Sequence, residues 1–238
     1  MKPLSREVNR TRNRILGRLP SRDFQRLRRR MKLVELFLGT TLYEPWAPLE
    51  RVYFPEEGVA SLLTRLSDGT ETEVATVGRE GMVGLPVFFG VESVPGRTIW
   101  QVSGKALVLP AKVLRRETQQ GGALSDALRL YAQGLFTQIS QSASCNRRHE
   151  IVQRCSRWLL MTHDRVDGEE FALTHEFLSK MLGVRRAGVS VAAGILQKAG
   201  LIKYSRGRIT IIDREGLEGI SCECYRIVRE EFDRLIGS

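Results

Sequence analysis

Residues 174–208 read THEFLSKMLGVRRAGVSVAAGILQKAGLIKYSRGR, and this stretch decides the fold. Thr174 is expected to cap a first helix, because its hydroxyl can accept a free backbone N–H of the first turn. Gly183 supplies the left-handed residue that ends such a helix. The apolar face between them consists of Phe177, Leu178, Met181 and Leu182.

A second helix is predicted from about Arg185 to Gly200, and two short strands follow around Arg206 and Gly207. The inner face of this helix consists of Val189, Ala192, Ala193 and Leu196. Two helices joined by a three- or four-residue turn that contains glycine are the sequence form of a helix-turn-helix. The hairpin LIKYSRGRITIID, residues 201–213, predicts a wing beside it.

The charge of this region indicates a nucleic-acid partner. Residues 174–212 contain seven basic residues and one acidic residue, Glu176. A basic surface around a helix-turn-helix neutralises DNA phosphates. The alternative is a solvated helical hairpin in an all-α domain, but cap, turn, wing and charge coincide here and favour a winged helix that binds double-stranded DNA.

The composition is that of an ordinary soluble chain of one or two domains. Of its 238 residues, 42% are hydrophobic and 27% are charged. No run reaches the roughly 18 apolar residues of a membrane span, and the N-terminus has no apolar signal region. We therefore expect a cytoplasmic protein without a membrane partner. Four cysteines in this length do not form a disulfide scaffold.

The net charge of +10 is unevenly distributed, with +9 in residues 1–30 and −7 in residues 35–92. Residues 1–30 alternate arginine with apolar residues and predict one or two short helices broken at Pro20, with Ser21 capping the second. The main interpretation is a helical lid over the next domain. A nucleic-acid arm or a helix on an anionic surface is the alternative.

The middle of the chain predicts a β-roll. Strands are expected at residues 51–54, 60–66, 71–77, 98–102 and 106–109, where residues are β-branched or alternate. Many short strands with glycine-rich turns, one of them predicted at Glu56-Glu57-Gly58, indicate a double-stranded β-helix, or jelly roll. A barrel metalloenzyme needs clustered ligands, but His149, His163 and His175 all lie outside this region. No catalytic constellation is visible, so neither an enzyme nor a cofactor is predicted.

A long amphipathic helix follows Gly121 and Gly122. Its apolar residues recur at three- and four-residue steps and are Leu124, Leu128, Tyr131, Leu135 and Ile139. This near-heptad seam predicts pairing with a second copy of the helix. The alternative is packing on the chain's own barrel, and both faces can be used. A hinge is expected around residues 142–149.

A last helix is predicted from residue 213, with Cys222 and Cys224 inside it. Two thiols at positions i and i+2 of a helix point in different directions and chelate poorly unless the helix is broken there. Ordinary packing is therefore the main interpretation for both cysteines, and no metal site is predicted; a metal or redox role is the alternative.

A β-roll, a long dimer helix and a winged helix-turn-helix in this order resemble the Crp/Fnr family of bacterial transcription regulators. The resemblance covers about residues 16–213 and is most specific in LTHEFLSKMLGVRRAGVSVAAGILQKAGLI followed by RGRITIID. It implies an α+β fold with an effector-sensing β-roll (16–122), a dimerisation helix and hinge (123–148), and a DNA-binding domain (149–238). It also implies a homodimer on a two-fold site, with recognition helices about 34–36 Å apart, and RNA polymerase as a partner.

The stretch VGREGMVGLP, residues 77–86, resembles the strand-turn into the family's effector pocket. The predicted pocket residues are Gly84, Leu85, Arg97, Thr98 and Gln138. Members that bind cyclic nucleotides have glutamate where this chain has Leu85. Without that carboxylate a ribose hydroxyl is left unpaired, at a cost of about 1–3 kcal/mol, so no response to cyclic AMP is expected. Arg97 and Thr98 could hold another small anionic effector; the alternative is a constitutive dimer with a vestigial pocket.

Well-known family members read DNA with an Arg-Glu pair and a later arginine. Arg186, Ala187 and Val191 occupy these positions here. Arg186 is expected to read guanine, whereas alanine and valine contact only thymine methyls, so a different operator is expected. The predicted DNA-binding residues are Thr174, Arg185, Arg186, Ala187, Ser190, Val191, Lys203, Arg206 and Arg208.

The sequence thus predicts a dimeric, sequence-specific DNA-binding transcription regulator whose effector is not cyclic AMP. The alternative, for which Ala187 and Val191 leave room, is a ligand- or protein-binding signalling module with a degenerate helix-turn-helix and no specific DNA readout.

Overall fold

The computed structural model describes residues 11–237 of the chain. The first helices are α1 (Arg14–Gly17) and α2 (Ser21–Arg28). The apolar residues of this segment are buried in the main core, which favours the lid over a free arm; they are Ile15, Leu16, Leu19, Phe24, Leu27 and Met31. The predicted cap of α2 is wrong, because Ser21 is its first helical residue and Pro20 precedes it. Residues 1–10 of the predicted basic segment lie outside the described residues.

A five-stranded antiparallel sheet follows. Its strands are β1 (Lys32–Leu36), β2 (Thr41–Tyr43), β3 (Arg51–Arg65), β4 (Glu71–Val77) and β5 (Arg97–Pro110). Strand β5 pairs with β3 along most of its length, and β3 also pairs with β4. The other edge of β5 is shared, because β1 pairs with its second half and β2 with its first.

The long strands β3 and β5 each replace two predicted strands. The pairing of β3 with β5 shifts register between Pro55 and Ala60, so the strand bends there without ending. Gly58 lies in this bend at φ +87°, and a Cβ on it would approach Val102 O to 2.5 Å. The glycine that was predicted to form a turn therefore forms a β-bulge, which bends a strand and keeps its partner.

The second half of the chain is mainly helical. The helices are α3 (Ala111–Gln119), α4 (Ala123–Arg148), α5 (Ile151–His163), α6 (His175–Leu182), α7 (Arg186–Lys198), α8 (Arg214–Ile220) and α9 (Cys224–Ile236). A small sheet in the order β6-β8-β7 is built from β6 (Glu170–Ala172), β7 (Ile202–Ser205) and β8 (Arg208–Ile211). An antiparallel sheet followed by a mainly helical half confirms the predicted α+β class. Within residues 11–237, no helix is both long and apolar enough to cross a bilayer.

Helix α4 buries the face that was predicted to form the dimer seam. Four residues of that face are at most 8% exposed and pack into the chain's own core: Leu124, Leu128, Tyr131 and Leu135. The prediction that they form a dimer seam is therefore wrong. For Ile139, which is 37% exposed, it stays a prediction. A second apolar stripe lies beside this face, in heptad spacing, and consists of Ala132, Phe136, Ile139 and Ala143. Phe136 lies at the centre of this second stripe and is 65% exposed.

The predicted last helix is in fact two helices. Helix α8 ends at Ile220, Ser221 has an extended backbone with ψ 157°, and α9 begins at Cys224. Gly216 and Gly219 lower the helix propensity of α8. The Cys222-Glu223-Cys224 segment therefore lies at a helix break, the one condition under which two such thiols can face each other.

The helix-turn-helix half of the chain is docked on strand β4 and the turn after it. Trp158 of α5 donates its indole N–H to Glu73 Oε1 at 2.9 Å. Arg165 forms a salt bridge with Glu80 at 2.8 Å, and both side chains are only 6% exposed. These contacts hold the two halves in one orientation.

The Glu73 contact predicts a pH-dependent stability. Burial raises the pKa of Glu73 to about 7, although hydrogen bonds from Ser61 and Trp158 and the charge of Arg157 lower it. A carboxyl group whose pKa is raised on folding stabilises the fold at acid pH, and this contribution is lost as the pH rises through the folded pKa. We expect the Tm to fall between about pH 4.5 and about pH 7, from the ordinary to the raised pKa, more steeply for the natural protein than for Glu73→Gln, which cannot ionise.

Thermal unfolding at a series of pH values measures this difference. The amide of the Glu73→Gln variant keeps an acceptor for Trp158, so the variant should fold. Glu230→Gln, an exposed change on α9, is the matched control and should follow the natural protein. Parallel pH profiles for the natural protein and Glu73→Gln would contradict the prediction.

Candidate nucleic-acid interface and effector cavity

The helix-turn-helix has the local structure that its sequence predicts. Thr174 Oγ1 accepts the Phe177 N–H at 3.1 Å and caps α6. Gly183 follows α6 at φ 62°, in the left-handed region. The second helix, α7, has Arg185 as its N-cap and Arg186 as its first residue. Both the cap and the glycine turn are thereby confirmed.

Helix α7 has one buried and one exposed face. The buried side chains, at most 3% exposed, are Val189, Ala192, Ala193 and Leu196. Ala187, Ser190 and Val191 lie on the exposed face, and Val191 is 63% exposed. An exposed valine between small residues forms a shallow surface that a base edge or a thymine methyl can approach closely.

The cations around α7 are available for phosphates to different degrees. Arg185, Arg186, Lys203 and Arg206 are exposed, and their side chains form no hydrogen bond or salt bridge within residues 11–237. Arg208 differs from them, because its guanidinium is paired with Glu170 of β6. This pairing lowers the pKa of Glu170. A phosphate contact by Arg208 has to compete with that carboxylate.

His175 also belongs to this surface, although the sequence did not single it out. Its ring stacks on Tyr204 of β7 with centroids 4.3 Å apart, and its Nδ1 lies 3.0 Å from Ser190 Oγ of α7. The pKa of His175 is lowered by burial and by the charge of Arg186. His175 therefore joins α6, α7 and the wing as a neutral ring. The spacing of residues in the sequence does not predict these contacts, because His175, Ser190 and Tyr204 lie on three different elements.

The wing turns at Arg206 and Gly207. Ser205 pairs with Arg208, so the turn has two residues, and these have φ values of 50° and 75°. Positive φ at both positions defines a type I′ turn, in which Asn-Gly is the preferred pair. Arginine at the first position is costly for the backbone, because a side chain is strained at positive φ.

The β-roll contains a cavity of about 280 Å³ at the predicted effector site. Gly84, Leu85, Arg97 and Thr98 line it together, as predicted. Gln138 does not, because its amide is buried elsewhere and donates to Thr76 O and Oγ1 at 3.1 Å. The walls are mainly apolar and include Leu49, Leu62, Val74, Met82, Val94 and Leu135.

Arg97 is already engaged by the protein. Its Nη2 donates to Thr41 Oγ1 at 2.8 Å, and its guanidinium lies 3.4 Å from Glu71 and 3.5 Å from Glu44. An anionic effector would have to displace two carboxylates from Arg97. The cavity is thus better matched to an apolar ligand than to a phosphate.

Comparisons with known proteins agree with this architecture. A family model for a Crp-like helix-turn-helix domain matches residues 153–220. FixK2 from Bradyrhizobium japonicum has 17% sequence identity and a TM-score of 0.68, over 81% of this chain and 98% of that chain. TTHB099, a CRP-family transcriptional regulator from Thermus thermophilus, has 18% identity and a TM-score of 0.64, over 80% and 96%.

A putative cyclic nucleotide binding protein from Ruegeria pomeroyi has 18% identity and a TM-score of 0.63, over 91% of this chain and 98% of that chain. At such identities the likeness establishes the fold. The sequence has no significant match among curated proteins.

Proposed function

We propose, on the premise that this chain is a Crp/Fnr-type transcription regulator in its fold and its Crp-like helix-turn-helix domain, that it acts as a homodimer on a two-fold DNA operator. The observation that carries the proposal is the exposed face of α7, with Arg186 at its first position and exposed cations on both sides. The N-terminal residues of a recognition helix are those that reach base edges in the major groove. A regulator that binds DNA is located in the bacterial cytoplasm. By its resemblance to the family, it also contacts RNA polymerase.

The boundaries of the proposed parts follow the chain. Residues 16–122 form the effector-sensing domain, residues 123–148 the dimerisation helix and hinge, and residues 149–238 the DNA-binding domain. The effector is proposed to differ from cyclic AMP, because Leu85 gives the cavity no carboxylate for a ribose and Arg97 is held by Glu44 and Glu71. The apolar walls support a mainly apolar ligand.

Selection of binding sites from a random DNA pool tests the DNA-binding function. The full-length protein is expected to enrich a two-fold symmetric motif whose half-sites lie about one helical turn apart. Binding to that motif should persist at physiological salt. Weak binding that is uniform across sequences and disappears with added salt would favour the signalling module instead, an alternative that the missing polar groups at Ala187 and Val191 keep open.

The α4 stripe predicts how the dimer can be disrupted. Phe136→Glu places a charge at the centre of the exposed heptad stripe, where the proposed partner helix would bury it, so sedimentation should show mainly monomer. Leu130→Glu is the matched control, because Leu130 lies on the same helix outside the stripe and is 37% exposed. A Phe136→Glu variant that sediments as the natural protein does would place the interface elsewhere.

A further inference from the structure

Four potential metal ligands converge at the far end of helix α4. Cys145 lies in the last turn of α4, and His149 is the C-cap of that helix. Cys222 lies in the break between α8 and α9, and Cys224 is the first residue of α9. The four ligand atoms all lie within 4.8 Å of one another. Cys145 Sγ is 3.5 Å from Cys222 Sγ, and Cys224 Sγ is 3.7 Å from His149 Nδ1. The three cysteines form a small buried cluster apart from the main core.

The Cys145–Cys222 and Cys224–His149 distances are those between neighbouring ligands of a single tetrahedral ion. Zinc binds thiolate sulfur at about 2.3 Å and imidazole nitrogen at about 2.0–2.1 Å, which places neighbouring corners of the tetrahedron roughly 3.5–3.8 Å apart. Three cysteines and one histidine are also one of the common ligand sets of structural zinc. We propose that Cys145, His149, Cys222 and Cys224 bind one structural Zn²⁺ ion per chain.

The surroundings of His149 orient it for this role. Its Nε2 lies 3.2 Å from Glu223 Oε2, so that Nε2 carries the proton and Nδ1 turns its lone pair towards the thiols. Histidines that bind metal ions commonly donate their other ring N–H to a carboxylate in this way, which fixes the tautomer and ring orientation.

A buried arginine balances the charge of such a centre. Three thiolates, a neutral imidazole and Zn²⁺ carry one net negative charge. Arg157 is 6% exposed and forms no salt bridge within the part of the chain that the structure describes. Its positive charge acts on the thiols of Cys145, Cys222 and Cys224 and favours their thiolate forms. The site thus has a cation that stabilises thiolates.

Two other chemistries fit the same atoms less well. A four-iron cluster separates its cysteine sulfurs more widely than a single ion does, because the iron–sulfide core lies between them. A disulfide between Cys145 and Cys222 would use two of the four groups and leave no role for Cys224 or for the oriented His149. One ion uses all four.

The position of the site gives the ion a structural task. It would join the end of α4 to the start of α9, which packs along α4 with Phe232 stacked on Tyr131 at 6.3 Å. His149 is also the last residue before Glu150, which caps α5 and begins the DNA-binding half. The ion would therefore fix the chain at the hinge through which the helix-turn-helix is attached.

Metal titration of the full-length protein tests the site. Protein stripped of metal with a chelator under reducing conditions is titrated with Zn²⁺, and bound zinc is measured by elemental analysis. We expect one equivalent per chain, and titration with Co²⁺ should give the intense visible absorption of tetrahedral thiolate coordination. Cys222→Ala should weaken Zn²⁺ binding on the order of a hundredfold or more.

Two further variants separate ligation from folding. Cys155→Ala is the matched control, because Cys155 is also fully buried but lies in α5 outside the cluster; it should keep the full equivalent of zinc. His149→Cys should retain Co²⁺ binding with a shifted absorption, because a fourth thiolate can replace the imidazole.

Three results would overturn the proposal: no stoichiometric zinc uptake by the reduced natural protein, a Cys145–Cys222 disulfide that forms in its place, or an iron–sulfur chromophore in the purified protein. Equal zinc binding by Cys222→Ala and Cys155→Ala would overturn it as well.

Discussion

Replacing Arg186 with alanine is expected to weaken binding to the selected operator by roughly 1–3 kcal/mol in each half-site, and so by about 2–6 kcal/mol for the homodimer. Arg186 is exposed at the first position of α7 and has no carboxylate partner in the described chain. Of the three predicted base-reading residues, Arg186, Ala187 and Val191, it alone can bond to two atoms of guanine. Its loss should also relax the preference at one base pair of each half-site. Binding isotherms and repeated site selection measure the two effects separately.

Two arginine controls distinguish base reading from charge. Arg226→Ala removes an exposed arginine of α9 that pairs with Glu230, and it should leave affinity and motif unchanged. Arg185→Ala removes a proposed phosphate contact, so it should weaken all sequences alike and reduce the salt dependence. If Arg186→Ala enriches the same motif as the natural protein, Arg186 does not read a base.

Removing Glu80 is expected to destabilise the protein by about 3–5 kcal/mol, because it leaves the charge of Arg165 buried and unpaired. Arg165 contacts Glu80 through two nitrogens and also donates to Met161 O. Burial alone would raise the pKa of Glu80, but the charge and hydrogen bonds of Arg165 lower it below its ordinary value. The contribution of this carboxylate is therefore present at neutral pH and lost as the pH falls through the folded pKa.

Urea unfolding of Glu80→Ala measures this loss. The double variant Glu80→Leu with Arg165→Met should recover most of it, because a buried ion pair can be replaced by apolar residues of similar size with little cost. The exposed pair of Arg226 and Glu230 is the control, and Glu230→Ala should change the free energy of unfolding by less than about 0.5 kcal/mol. A small effect of Glu80→Ala would mean that water reaches Arg165.

The helix-turn-helix could be predicted closely because its signals are local. The Thr174 side chain caps the helix by accepting the N–H of Phe177, only three residues further on, and Gly183 can adopt a left-handed backbone because it has no side chain. Residues close in sequence therefore determine both features. The bulge at Gly58 was mistaken for a turn for the opposite reason. Whether a glycine ends a strand or bends it depends on its partner strand, and the partner of Gly58 lies more than forty residues away at Val102.

The dimer face and the cysteine cluster could not be predicted by spacing alone. Helix α4 has two apolar stripes, and the more hydrophobic one, through Leu128 and Tyr131, is covered by the chain's own core. The cluster joins Cys145 to Cys222, 77 positions apart, and it requires the extended backbone at Ser221. In a continuous helix the thiols of Cys222 and Cys224 would point in different directions, and only the break between α8 and α9 lets them face each other.

The wing turn has a consequence for how this protein can change over evolution. Arg206 occupies a backbone conformation that asparagine or glycine adopts with less strain, so random substitution offers an easy gain in stability at this position. A lineage that no longer needed a cation at the wing tip would be expected to drift towards Asn-Gly. Persistence of arginine or lysine in descendants of this gene would then record selection for the placement of a charge over thermodynamic stability.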